Sequence, residues 1–249
     1  MSTILKTIAS DKEKNNRAVM TDLFLKNPVF EEEKIANNAL FLKRQELSKV
    51  LFLNEIYSKI INTHGVIMEL GVRWGQNLVT LNNLRGIYEP FNHSRKIIGF
   101  DTFEGFPSVS KEESIADYNV EGAFNVSDNY ENFLEELLKC HENECPLNHI
   151  NKNFVVKGDA TKTLKKYLED HKETIIAFVY FDFDIYQPTL ECLKLIKPFL
   201  TKGSIIGFDE LCDPGFPGET EALREVFGTH NYRIERNRFS GIQSYLIFE

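Results

Sequence analysis

Ile175-Ile-Ala-Phe-Val-Tyr-Phe181 is an unbroken apolar run, β-branched and aromatic, closed at once by Asp182-Phe-Asp184. A run of this kind is too short for a buried helix of ordinary length and does not alternate. It therefore reads as a strand buried on both faces, the mark of a parallel sheet. A second such run, Ser204-Ile-Ile-Gly-Phe208, is closed by Asp209-Glu210. In open α/β sheets ligands bind beyond the carboxyl ends of the strands. Two acidic pairs arriving there from two strands predict one shared site for a divalent cation, magnesium or manganese first and ferrous iron as an oxygen-ligand alternative. The competing reading is that each Asp caps the helix that follows its strand.

Outward from these runs the chain alternates strand and helix from Gly65 onward. Strands are predicted at 66–70, 96–100, 153–156, 175–181 and 204–208, with helices near 77–85, 129–140, 161–170, 189–199 and 220–227. Two further runs, at 232–236 and 242–248, flank Asn237-Arg-Phe-Ser-Gly241 and read as an antiparallel hairpin. The expected fold is α/β, a Rossmann-like, mostly parallel seven-stranded sheet closed by that hairpin. Residues 1–60 form a helical extension, because Leu40, Leu47, Val50, Leu51, Leu53, Ile56, Tyr57 and Ile60 recur at spacings of three and four. The main domain is expected over 61–249. The long connection at 105–150 is a candidate active-site flap.

Composition narrows the partners. With 37 Asp+Glu against 29 Lys+Arg, the formal net charge is −8, which argues against a nucleic-acid backbone. The four cysteines lack metal-ligand spacing and read as reduced thiols. No run approaches a membrane span, and the first residues lack the apolar core of a signal peptide, so a cytoplasmic protein is expected.

The first strand ends in Glu69-Leu-Gly71-Val-Arg-Trp-Gly75 and enters a helix. The glycines permit close backbone approach by a ligand, and the third glycine of a dinucleotide fingerprint is missing. Glu69 would attract an ammonium and repel a pyrophosphate, which favours a cationic, amino-acid-bearing cofactor over NAD. Asp101, ending the second strand, can accept hydrogen bonds from both hydroxyls of a ribose. In Lys157-Gly158-Asp159-Ala160, Asp159 can receive an adenine amino group or cap the helix from Thr161; both roles stay open.

Together these features resemble the class I S-adenosylmethionine-dependent methyltransferases. Phe100-Asp-Thr-Phe-Glu-Gly-Phe-Pro107, Phe181-Asp-Phe-Asp-Ile-Tyr-Gln-Pro-Thr189 and Gly203-Ser-Ile-Ile-Gly-Phe-Asp-Glu210 look more narrowly like the macrocin O-methyltransferase family. Those are metal-dependent sugar methyltransferases of macrolide and aminocoumarin biosynthesis. Gly122-Ala-Phe-Asn-Val-Ser127 matches more loosely, and the whole resemblance spans roughly 64–230. It implies S-adenosylmethionine bound by Glu69, Gly71, Gly75, Asp101, Thr102, Gly158, Asp159, Ala160 and Asp182. It also implies a divalent metal on Asp182, Asp209 and Glu210, with Asp184 as general base. The family usually has aspartate where this chain has Glu210, and the first sixty residues match no family motif.

The implied reaction is methyl transfer to a hydroxyl of a nucleotide-activated or glycoside-linked sugar, by a homo-oligomer. A Lys-, Asn-, Ile- and Phe-rich composition suits an AT-rich bacterial genome and a sugar for surface polysaccharide. Rival readings are a catechol-type O-methyltransferase, a carboxylate-metal hydrolase and a non-catalytic binding module, the last having no need of Asp184. Trp74 is a candidate cover for the cofactor, and Phe216 or Glu219 a candidate substrate contact. His64, His141, His149 and His230 are expected to lie outside the site.

Overall fold

The computed structural model describes residues 9–106 and 121–249. At its centre, β4 (Ile176–Phe181) is buried at every position, as its unbroken apolar run requires. It lies between β1 (Val66–Leu70) and β5 (Leu200–Phe208), parallel to both. On the far side of β1 come β2 (Ile97–Asp101) and β3 (Asn153–Lys157), also parallel. Beyond β5, β7 (Ser244–Ile247) and β6 (Ile234–Arg236) run antiparallel. The order is β3-β2-β1-β4-β5-β7-β6, a seven-stranded Rossmann-like sheet with an antiparallel end. The expected fold class is borne out, and the later strand of the hairpin is the one inserted beside β5.

Helices cover both faces, which is why the inner strands read as continuous apolar runs. On one face lie α2 (Arg44–Ile60), α3 (Gln76–Tyr88) and α4 (Tyr130–Asn143). There Phe52, Leu53, Ile56, Leu78, Leu81, Leu134 and Leu138 pack against Ile67, Phe178 and Tyr180. The other face carries α5 (Ala160–Asp170), α6 (Tyr186–Ile196) and α7 (Gly218–Val226), with Leu164, Leu193, Ile196 and Leu223 against Met68, Val179 and Ile206. Each fully buried Leu, Ile or Phe contributes about 1.5–3 kcal/mol relative to exposure. The apolar stripe predicted in the extension thus packs onto the domain through α2, whereas Leu40, Leu42, Leu47 and Leu51 stay exposed. Before it, α1 (Asp11–Leu25) starts at a capping box formed by Ser10 and Glu13 and buries no side chain.

Most strand boundaries shift by one or two residues, and the start of β5 departs furthest. β5 begins four residues early because Ile176 pairs with Leu200 but Phe178 with Ile205, a bulge that absorbs Thr201-Lys-Gly203. The polar bulge hides the strand's start from an apolar pattern. Ile175 is 39% exposed and precedes β4 rather than opening it. Of the expected flap, 107–120 lies outside the described residues; 130–143 is α4, and Phe106 exchanges backbone hydrogen bonds with Gly122 and Ala123.

Candidate active site

Strand connections diverge between β1 and β4, so a crevice opens beyond the carboxyl ends of these neighbours. The backbones meet closely there. A Cβ on Gly71 (φ +94) would stand 2.0 Å from the carbonyl oxygen of Asp182, so only glycine lets the turn after β1 pass the end of β4. The crevice widens into a cavity of about 380 Å³ lined by Gly71, Asp101, Thr102, Gly158, Asp159, Ala160, Asp182, Asp184, Asp209 and Glu210 among others. Ten of the twelve residues singled out for cofactor, metal or base therefore share one cavity wall. Glu69 and Gly75 are not in that wall.

Glu69 is buried in β1, where Oε1 accepts from Asn77 Nδ2 at 2.7 Å and Oε2 has no partner among the described residues. Burial raises its pKa well above the usual carboxylate range, the Asn77 bond opposing the rise. Asp101 also has local work: Oδ2 accepts from the amides of Val72 and Arg73 at 2.6 and 2.7 Å, and Oδ1 from that of Phe103 at 2.6 Å. It organises the glycine turn whose residues line the cavity. Asp159 caps α5 through Thr161, N–H to Oδ1 at 3.0 Å, while remaining in the wall. Thr102 Oγ1 donates to the carbonyl of Gly105 at 2.8 Å.

The four carboxylates after β4 and β5 do not stand alone. Lys49, from α2, places Nζ 3.4 Å from Asp182 Oδ2 and 3.1 Å from Asp209 Oδ1. Despite the cost of burial, these two partners hold the Lys49 pKa above its usual value. Asp209 further accepts from the Tyr180 hydroxyl and from Gln243 Nε2 at 3.1 Å. Burial opposes its ionisation, but Lys49, Tyr180 and Gln243 together hold it below its usual pKa, so Asp209 is the anionic member of the pair. Asp182 has fewer donors, and burial followed by repulsion from Asp209 raises its pKa.

Asp184 and Glu210 face each other directly. Burial pushes Asp184 up to about 6 and Asp209 adds to the rise, while a hydrogen bond with Glu210 opposes it. Burial and the nearby Asp184 and Asp209 charges push Glu210 up to about 11. One proton is thus shared across two acids. The backbone of Asp184 is left-handed at φ +64, as is that of Arg73 at φ +50. Such strain persists only where surrounding structure imposes it.

The donor chemistry fits a hard divalent cation. The groups are oxygen-only, half-buried and in excess over a single ammonium, and Glu210 Oε2 has no hydrogen-bond partner among the described residues. In its present arrangement, however, the cluster is closed around Lys49 and a shared proton. Among the described residues, no group of three His, Cys, Asp or Glu side chains is set to hold a metal ion. The unmatched extension thus supplies a cation to the centre of the site through a lone lysine that no local motif marks.

Comparisons with known proteins agree with the geometry. No protein-family model matches the chain, and no curated protein matches it. Among solved structures, the crystal structure of CalS11, a calicheamicin methyltransferase, is similar with a TM-score of 0.94 and 37% identity, covering 100% of this chain and 97% of that one. The chain belongs to the macrocin O-methyltransferase family. An apo structure of CalS11, described as a TDP-rhamnose 3'-O-methyltransferase of calicheamicin biosynthesis, is similar at 35% identity and a TM-score of 0.86, covering 97% and 96% of the two chains. The O-methyltransferase NovP, at 15% identity and a TM-score of 0.62 over 80% of this chain and 79% of that one, shares the fold.

Several wall residues lie in the quoted segments without having been given a role there. Arg73 lies over the Phe124 ring at 5.2 Å, and its buried Nε has no partner among the described residues. Phe106, Phe124, Phe183 and Pro188 complete the apolar wall. Trp74 lines it too, 46% exposed and edge-on to Tyr130. Phe216 is in the wall, and His64, His141, His149 and His230 are not.

Proposed function

We propose that this S-adenosylmethionine-dependent O-methyltransferase methylates a hydroxyl of a nucleotide-activated sugar, with a divalent cation on Asp182, Asp209 and Glu210. The observation that carries the reading is the full-length similarity to a TDP-rhamnose 3'-O-methyltransferase, at 35% identity over 97% of this chain. The carboxylates converging beyond β4 and β5 support it. The donor's sulfonium methyl is already electrophilic, so the chain's task is to present an oriented, deprotonated oxygen. When bound, the cation supplies Lewis acidity that lowers the pKa of a sugar hydroxyl. Asp184 then accepts the hydroxyl proton on its carboxylate, from a backbone held in the left-handed region beside the ligand set. Gly71, Thr102, Gly158 and Ala160 give the donor close backbone approach, and Gly75 turns the chain into α3 behind them. Asp101 and Asp159 offer it their remaining acceptor capacity, and the approach of its ammonium group draws the buried Glu69 towards its anionic form.

The Lys-, Asn-, Ile- and Phe-rich composition favours a bacterial surface polysaccharide as the destination of the sugar, made in the cytoplasm. None of the described helices is long and apolar enough to cross a membrane. Association into a homo-oligomer through the extension is supported by Val19, Leu23, Phe24 and Leu25 on α1, all more than half exposed. Light scattering tests it, and a monomer at micromolar concentration refutes it. The reaction is tested by transfer of labelled methyl from S-adenosylmethionine to a panel of TDP-, UDP- and GDP-sugars, with and without magnesium after chelation. Transfer to catechols alone refutes the sugar reading, and full turnover after complete chelation refutes the metal.

A further inference from the structure

Glu219 opens the first turn of α7, yet its side chain does not face solvent. The residue is 0% exposed, and Oε1 has no hydrogen-bond partner among the described residues. Oε2 accepts from the backbone N–H of Glu210 at 3.2 Å. The turn is pinned beside Asp184: a Cβ on the preceding Gly218 would stand 2.4 Å from the amide nitrogen of Tyr186 and 2.7 Å from the carbonyl carbon of Ile185. Glycine at 218 thus lets α7 press onto the segment that follows Asp184 and carries the Glu219 carboxylate in under the acidic cluster. Asp184, Asp182 and Asp209 all lie close enough to act on that carboxylate.

A buried acid used only to receive one amide would be better served by a neutral acceptor, which avoids burying a charge among like charges. An unpartnered oxygen buried beside Asp182, Asp184 and Asp209 is explained if a cation joins them. We infer that Glu219 is a positioning residue of the cation site: one oxygen fixes the Glu210 main chain, and the other adds negative charge behind the ligands. This rests on the proposed cation at Asp182, Asp209 and Glu210.

The test is Mn²⁺ titration of the whole chain, followed by electron paramagnetic resonance without donor or sugar, for wild type, Glu219→Gln and Glu219→Asp. Glutamine keeps the acceptor for Glu210 and removes the charge; Mn²⁺ affinity is expected to fall about 10- to 100-fold with an unchanged circular dichroism spectrum. Aspartate keeps the charge but draws it back from Glu210, and a smaller, several-fold loss is expected. A wild-type chain that binds no Mn²⁺ overturns the cation reading and this inference with it. A wild type that binds while Glu219→Gln binds equally well overturns the role of Glu219 alone. So does a larger loss in Glu219→Asp than in Glu219→Gln, which would mark a purely structural acceptor. If the glutamine variant does not fold, Glu219→Asp decides the point, unchanged affinity overturning the inference.

Discussion

Replacing Lys49 by methionine removes the ammonium on which Asp182 and Asp209 converge while keeping most of the side chain's apolar length. At the observed 3.1 Å, the attraction to anionic Asp209 is worth about 5 kcal/mol at an effective dielectric of about 20, and Asp182, 3.4 Å away, adds a weaker contribution. Most of that gain is offset by desolvation of the charges. Breaking a fully buried pair nevertheless costs about 3–5 kcal/mol, because a charge is left uncompensated. Lys49 retains 22% of its side-chain exposure, and the acids can take up a proton once it is gone, so about 2–3 kcal/mol is expected at pH 8. Without the ammonium, the folded chain keeps protons on these acids to higher pH than the unfolded chain does. Folded protons then outnumber unfolded ones, so stability falls as pH rises above the ordinary carboxylate range, and the variant's deficit is smaller at pH 5.5 than at pH 8. Urea unfolding of the metal-free proteins, followed by circular dichroism, measures both quantities. Millimolar magnesium is expected to recover most of the loss, since a divalent ion supplies the missing positive charge. Equal stabilities at pH 8, within about 0.5 kcal/mol, would refute Lys49 as the internal counter-charge.

Asp184→Asn is expected to lower turnover by about 10²-fold or more while leaving donor and metal affinity within a few-fold of wild type. Near-normal activity excludes Asp184 as the base, and lost metal makes it a ligand. Asp184 stands at about 6 before metal binds, so the rate of the metal-loaded enzyme is expected to rise with pH through a value below that as the carboxylate ionises. Glu210, pushed up to about 11 and sharing a proton with Asp184, predicts that cation binding at pH 8 releases protons and tightens as pH rises. Calorimetry in buffers of different ionisation enthalpy measures the release, and a buffer-independent heat excludes it. Gly71→Ala places a methyl 2.0 Å from the Asp182 carbonyl oxygen at φ +94, so a loss of about 3 kcal/mol or more in urea is expected; a wild-type urea midpoint would show that the turn can move aside.

The central strands, the two acidic pairs and the glycine turn were legible because each is written locally. Burial on both faces demands an unbroken apolar run, and the residue ending such a run has a known place at the sheet's edge. Asp101 and Asp159 were legible as wall residues but not in their present hydrogen bonds, which depend on the paths of the 71–75 turn and the start of α5. Lys49 was invisible because it is separated from Asp182 by 133 positions in sequence and sits on a helix that otherwise reads only as an apolar stripe. Its meaning comes from α2 packing across β4 and β5. Glu219 reads in the sequence as a substrate contact, and only the packing of Gly218 against Ile185 and Tyr186 shows it turned inward instead. Sequence by itself determined the sheet, the edge where ligands bind and the acids that reach it, since strand burial and chain reversal are short-range demands. Only the tertiary structure decided which charges those acids meet, because electrostatic balance in a buried site is set by whichever distant side chains the packing brings within a few ångströms.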